Sequence, residues 1–305
     1  MKNLAMTAVA LLLAACGGAS GVSSDTATAE STRLIWAEEG LVLSNTTSTC
    51  TLTEGATYRM YYLDRELVSA VSGNGQIFSA SQTTGITHQG SSDLLSNPSV
   101  IRLGEGRYVM IYNGVSGNIS RFHRATSADG VTFTKYTGAF INGAVMEPNA
   151  EENSFISVPE LVLFNGALHI YYVGNASVNR IFHAVSQDDG VTWERTGQIV
   201  LNGVRADDKI VDPEVVITPD GGLKLFFAHS LAGDMGFGIR GIKTAVSNDG
   251  VNFTAEEGYA LTPSGGFLID PDVVELIGQP GKYRMYFGKS ADGGTGINLY
   301  SAVSN

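Results

Sequence analysis

Cysteine is nearly absent: Cys16 and Cys50 are the only two in 305 residues. No disulfide framework can be built from them, and no CxxC or His-rich spacing marks a zinc site. Cations are scarce as well, with 19 Lys plus Arg against 30 Asp plus Glu and a formal charge of −11. That is the wrong sign for coating a phosphate backbone and argues against nucleic acid as a partner. Tryptophan occurs twice, at Trp36 and Trp193, which leaves no tryptophan platform for sugar rings. No apolar run is long enough to cross a bilayer. What the chain does have is 43% apolar side chains and 37 glycines, material for a large core that is neither disordered nor fibrous.

Met1-Lys2-Asn3 makes a short basic start, Leu4 to Leu13 is an apolar stretch of signal length, and Leu13-Ala14-Ala15-Cys16 follows. Residues 1–15 therefore read as a secretory signal. The four residues ending in Cys16 resemble the lipobox of bacterial lipoproteins. That resemblance implies cleavage before Cys16 and acylation of its thiol and new amino terminus, with each buried methylene contributing roughly 0.8 kcal/mol to membrane attachment. Gly17 rather than an acidic residue follows the cysteine. By the same resemblance this points to the cell envelope, with the outer membrane of a Gram-negative bacterium as the destination. Residues 16–32 then form the lipidated cysteine and a flexible linker, since GGASGVSSDTATAEST is too small and polar to stay packed.

Self-similarity organises the rest. Ala-Val-Ser or a close relative recurs at Ala70, Ala125, Ala184, Ala245 and Ala302, at spacings of 55, 59, 61 and 57 residues. After the first four copies come Asn74-Gly75, Asp129-Gly130, Asp189-Gly190 and Asp249-Gly250, each leading to an aromatic residue. Such dipeptides between β-rich runs predict hairpin turns, because glycine accepts the positive φ they demand. Ahead of each copy lies a second apolar strand, and ahead of that a third, opened by proline in four of five copies: Pro98, Pro159, Pro213 and Pro271. The expectation over residues 33–305 is an all-β, five-bladed β-propeller with four antiparallel strands per blade. The fifth copy lacks an outer strand, and Ile35 to Leu43 copies Phe253 to Leu261. The N-terminal strand is therefore expected to close the last blade.

The unit of a proline-led inner strand, a Tyr-rich second strand and Ala-x-Ser-x-Asp-Gly-x-x-aromatic resembles the blades of five-bladed propeller glycosidases, the arabinanase, levansucrase and invertase superfamily. Ser186 to Trp193 also resembles the Asp-box of sialidase propellers, a turn read here as structural. The glycosidase resemblance implies that inner-strand starts and second-to-third strand loops build the active face. It further implies Asp on the first blade, Asp on the second and Glu on the third, where this chain has Thr47, Asn97 and Glu160. Either the site has migrated around the ring or the propeller does not hydrolyse sugars by that mechanism.

Aligned on the prolines, the inner strands place Thr47, Asn97, Val158, Asp212 and Asp270 before the site and Thr49, Ser99, Glu160, Glu214 and Asp272 after it. Converging inner strands would gather these at one mouth of the channel, with carboxylates only in blades three to five. Crowded carboxylates raise one another's pKa, which is how an acid stays protonated near neutrality. Glu160, Asp212 and Asp270 are the candidate catalytic set. Asn97, Glu214, Asp272, Asp208, Arg180, His229, Arg240 and Lys289 are the candidate ligand-binding residues. No protein metal site is assigned, although an axial oxygen cluster would suit Ca²⁺, which the resembled family sometimes carries. His123, His169 and His183 fall within strands and read as packing residues. The functional expectation is a membrane-anchored lipoprotein that binds or processes a glycan, glycosidase-like but with an atypical carboxylate set. The rival is a non-catalytic surface scaffold or adhesin, which predicts an exposed apolar or aromatic patch away from the axis.

Overall fold

A computed structural model describes residues 33–88, 94–234, 238, 241–290 and 296–305. The compact unit is Leu34–Asn305. Its first strand is β1 (Trp36–Leu43). Blade one follows as β2 (Cys50–Glu54), β3 (Thr57–Asp64), β4 (Glu66–Ser72) and β5 (Gln82–Ile86), and blade two as β6 (Leu94–Gly104), β7 (Arg107–Ser116), β8 (Ile119–Ser127) and β9 (Thr134–Lys135). Blade three is β10 (Ile156–Phe164), β11 (Ala167–Asn175), β12 (Asn179–Ser186) and β13 (Glu194–Gln198). A short β14 (Val200–Asn202) precedes blade four, which is β15 (Lys209–Ile217), β16 (Leu223–Ser230), β17 (Gly241–Ser247) and β18 (Asn252–Ala255). Blade five is β19 (Phe267–Glu275), β20 (Tyr283–Ser290) and β21 (Asn298–Ser304), completed by β1 in the order β1-β21-β20-β19. The five blades and the N-terminal closure are as the repeats predict. One strand departs from the four-per-blade expectation: β14 runs parallel to β18 and adds a fifth strand to blade four.

The sequence pattern explains the layering. Second strands are sandwiched between neighbouring blades and carry side chains that are buried on both faces, as β16 does along its whole length. Outer strands alternate exposed and half-buried residues, as β13 does. Below the blades, Asp129 Oδ1 accepts hydrogen bonds from Ser127 Oγ and from the amides of Val131 and Thr132, all at 2.8 Å. Gly75, Gly130, Gly190 and Gly250 close these turns at φ of 71–82°. The turns also staple blades together. Tyr61, Tyr171 and Tyr286 hydroxyls donate to the carbonyls of Gly130, Gly250 and Gly75 in the following blade at 2.7–2.8 Å.

Each inner strand of blades two to five carries a bulge where the ladder breaks, between Ser96 and Ser99, Ser157 and Glu160, Val211 and Glu214, and Ile269 and Asp272. The residue before proline sits in the left-handed region, at φ 46° for Asn97, 51° for Val158, 55° for Asp212 and 49° for Asp270. Proline has no N–H and fits where the ladder is interrupted. Asn and Asp tolerate that backbone, whereas β-branched Val158 is held in it by the surrounding blades at a cost of about 1–3 kcal/mol.

Candidate functional site

The bulges aim their side chains at the axis. There a narrow cavity of about 20 Å³ is lined by Ser48, Asn97, Val158, Glu160, Asp212, Glu214 and Asp270 among others. Blade one differs from the alignment on prolines by one residue. Its left-handed residue is Ser48, at φ 53°, so Ser48 rather than Thr47 matches Asn97, and Cys50 rather than Thr49 matches Ser99. The second strands agree: Cys50 faces Tyr61 just as Glu160 faces Tyr171 and Asp272 faces Tyr286.

With that register, a closed circlet appears around the channel. Cys50 Sγ accepts from the amide of Val100 at 3.2 Å, and Ser99 Oγ from Leu161 at 2.9 Å. Glu160 accepts from the amide of Val215, Glu214 Oε1 from Val273 at 3.0 Å, and Asp272 Oδ1 from Thr51 at 3.0 Å. Every blade thus hands one acceptor to the backbone of the next. Asp272 also takes the hydroxyls of Thr49 at 2.6 Å and Thr51 at 2.7 Å, and Glu160 that of Ser99 at 3.0 Å.

A second tier lies at the bulge residues. Asp212 Oδ2 accepts from the amide of Asp270 at 3.2 Å, and Asp270 Oδ2 accepts from Thr47 Oγ1 at 2.8 Å and Ser48 Oγ at 2.7 Å. Burial raises both carboxyls, and the charge of Asp270 adds to the rise of Asp212. Asn97, half-buried at the same mouth, makes no side-chain hydrogen bond to the described residues.

Burial dominates the electrostatics. It pushes Glu160 up to about 8, with the Ser99 hydroxyl opposing and the Asp272 charge adding to the rise. Glu214 is raised well above the usual carboxylate range by burial and then by Glu160 and Asp272; Asp212 is raised by burial and then by Asp270. Asp270 and Asp272 rise less, because hydroxyl donors favour their ionised forms. These groups do not suit the axial Ca²⁺ that the sequence left open. Their oxygens are turned to inter-blade donors, and among the described residues no group of three or more His, Cys, Asp or Glu is placed to hold a metal.

Asp208, His229, Arg180 and Lys289 do not line this cavity. Asp208 Oδ2 pairs with His229 Nε2 at 3.1 Å, and His229 Nδ1 meets the Tyr259 hydroxyl at 2.9 Å. Burial opposes ionisation of Asp208, but the Ala232 amide and His229 outweigh it and hold the carboxyl below its ordinary range. Arg180 donates to the backbone carbonyls of Ala206 and Asp208, which fixes the loop entering blade four. Lys289 pairs with Glu38 at 2.7 Å and lies over the Tyr300 ring. Arg240 and Cys16 lie outside the described residues. Glu152 is buried under blade three, held by the Tyr172 hydroxyl at 2.5 Å and Arg195 Nε at 2.8 Å. His169 and His183 form a buried pair at 2.9 Å, in keeping with a packing role.

Chemically, the cavity brings together neighbouring carboxyls, the Asn97 amide and hydroxyls. No family model matches the chain, and no curated protein does. Solved structures do match. A thermostable family-43 glycoside hydrolase is 11% identical with a TM-score of 0.64, covering 85% of this chain and 89% of its own. An endo-arabinase from Bacteroides thetaiotaomicron is 13% identical with a TM-score of 0.63 over 87% of this chain and 97% of its own. A GH32 β-fructofuranosidase from Bombyx mori is 12% identical with a TM-score of 0.63, over 87% of this chain and 61% of its own. Likeness at these identities establishes the propeller fold.

Proposed function

We propose that this propeller binds a neutral glycan at its axial mouth and does not cleave it with a paired acid and base. The observation that carries the reading is the contact of Asp212 Oδ2 with the amide of Asp270 at 3.2 Å. Carboxyls that flank a glycosidic bond stand about 5–5.5 Å apart in retaining enzymes and about 6.5–9.5 Å apart in inverting ones. A carboxyl laid on its neighbour's backbone amide leaves no room for a sugar between the two. Glu160 belongs to the inner circlet, so it serves the joint between blades. A net charge of −11 disfavours uronates and other anionic polymers. Asn97 is the natural partner for a sugar hydroxyl, being an amide with both donor and acceptor at the mouth.

Titration of neutral oligosaccharides, with a glycoside panel run alongside, tests this. Binding without turnover is expected, and Asn97→Ala should weaken it about tenfold with the thermal midpoint unchanged. Turnover abolished by both Glu160→Gln and Asp212→Asn would overturn the reading. A second reading, a surface scaffold, is favoured by Leu94, Ile119, Phe140 and Ile141, exposed on or beside blade two at 40–62%. It becomes the better account if no glycan binds.

The anchoring of the chain is proposed on the sequence pattern alone. Cys16→Ser is expected to shift the protein from the membrane to the soluble fraction, and intact-mass measurement of the membrane form should show added acyl chains. An unacylated Cys16 in a membrane-free protein would refute this.

A further inference from the structure

Blades two and three are built alike beside their second strands. Tyr112 stacks on His123 at 5.5 Å and 22°, and Tyr172 stacks on Phe182 at 6.0 Å and 26°. In both blades the third-strand ring lies across a glycine two residues beyond the tyrosine. A β-carbon on Gly114 would stand 2.6 Å from His123 Cδ2, and one on Gly174 would stand 2.6 Å from Phe182 Cδ2. The two stacks differ in what covers them. In blade three the ring is a phenyl, 3% exposed, and Glu152 packs over Gly174 while locked to Tyr172 and Arg195. In blade two the ring is an imidazole, half-buried, and it walls a cavity of about 200 Å³.

The cavity is lined by blade two and the segments flanking it, and it shares no residue with the axial cavity. Its other walls are Tyr136, 38% exposed, together with Ser116, Thr137 and Asn142. Aromatic faces beside hydroxyl and amide groups match a sugar ring, whose faces are apolar and whose rim is polar. The size is below that of drug-sized pockets, which suits a single ring. Lys135 is the cation lining it, and its ammonium donates to the Thr87 carbonyl at 2.8 Å. An anion is therefore the poorer fit.

We propose that this rim cleft binds one neutral monosaccharide ring, stacked against its aromatic walls and hydrogen-bonded by Asn142, Thr137 and Ser116. The inference takes its ligand class from the glycan reading above, but the site is separate from the axial mouth. Its test is saturation-transfer NMR of the full chain with free glucose, galactose and arabinose, followed by titration of whichever sugar responds. At least one sugar should receive saturation. Tyr136→Ala removes an exposed aromatic wall and should weaken that sugar about tenfold with the thermal midpoint little changed. Asn142→Ala should do the same. The inference is overturned if no monosaccharide responds, or if binding survives both rim variants. It also fails if Asn97→Ala alone abolishes binding, which would place the sugar at the axis and leave the glycan reading intact.

Discussion

Raising the pH from 6.5 to 9 should lower the thermal midpoint by on the order of 10 °C, the reverse of what paired surface carboxylates would give. Glu160, Asp212 and Glu214 have folded pKa values well above their unfolded ones. In this range the folded protein therefore holds more protons than the unfolded chain, and stability must fall as pH rises. Glu160, raised to about 8, contributes about 2 kcal/mol between pH 6.5 and 8, at about 1.4 kcal/mol per unit. Asp212 and Glu214 add to it, and so does Cys50 above pH 8.5, since burial pushes its thiol up. A kilocalorie corresponds to roughly 2–4 °C in a domain of this size.

Below pH 6.5 the sign becomes mixed. Burial holds His183 down at about 3 and lowers His169. These imidazoles take up protons only on unfolding there, which removes stability as pH falls. Glu160→Gln is the matching variant. It keeps an acceptor for Ser99 and Val215, and it should be more stable than the parent at pH 8.5 and little changed at pH 6.5. Calorimetric scans across this range decide the matter. A midpoint that holds steady or climbs between pH 6.5 and 9 would mean that the channel carboxylates are ionised in the folded protein.

How far the site could be read from sequence depended on local markers. The blades were legible because each turn needs Gly at positive φ and each inner strand needs a residue without an N–H at its bulge. Blade one has Thr49 where the others have proline, so counting from the absent proline slipped by one and hid Cys50. Counting back from Tyr61, the partner of Cys50 across the ladder, would have recovered it. Glu160, Asp212, Glu214 and Asp270 line one cavity. Their employment, and that of Asp272, as inter-blade acceptors carries no sequence signature, because the donors are main-chain amides remote along the chain, 59 residues away for Glu214 and 221 for Asp272. His229 and Asp208 were picked singly for the mouth. Their pairing with each other is set by the loop entering blade four, which no repeat constrains.

Deleting residues 1–44 should leave a protein that aggregates rather than a propeller with one short blade. Without β1, strand β21 becomes an open edge from Leu299 to Ser304, a template for other chains. Glu39 would be lost from Arg284, whose guanidinium it grips at 2.8 and 2.9 Å. Arg284 is only 6% exposed, and stranding a buried charge costs about 3–5 kcal/mol. Trp36, edge-on to Phe226 at 5.9 Å, would leave the blade-four boundary open as well. The ends of the ring suggest a repair. Ile35 N donates to Asn305 Oδ1 and Asn305 N to the Ile35 carbonyl, both at 2.9 Å. A two-residue Asn-Gly turn placed after Asn305, followed by residues 35–44, would let the moved strand fold back along β21 as a hairpin in the same antiparallel register. That rearranged chain should be monomeric by light scattering, with a melting point close to the parent's, while the deletion should not. A deletion protein that melts cooperatively as a monomer would show that the blade-five edge contributes little to closure. Failure of the rearranged chain alone would place the closing strength outside β1.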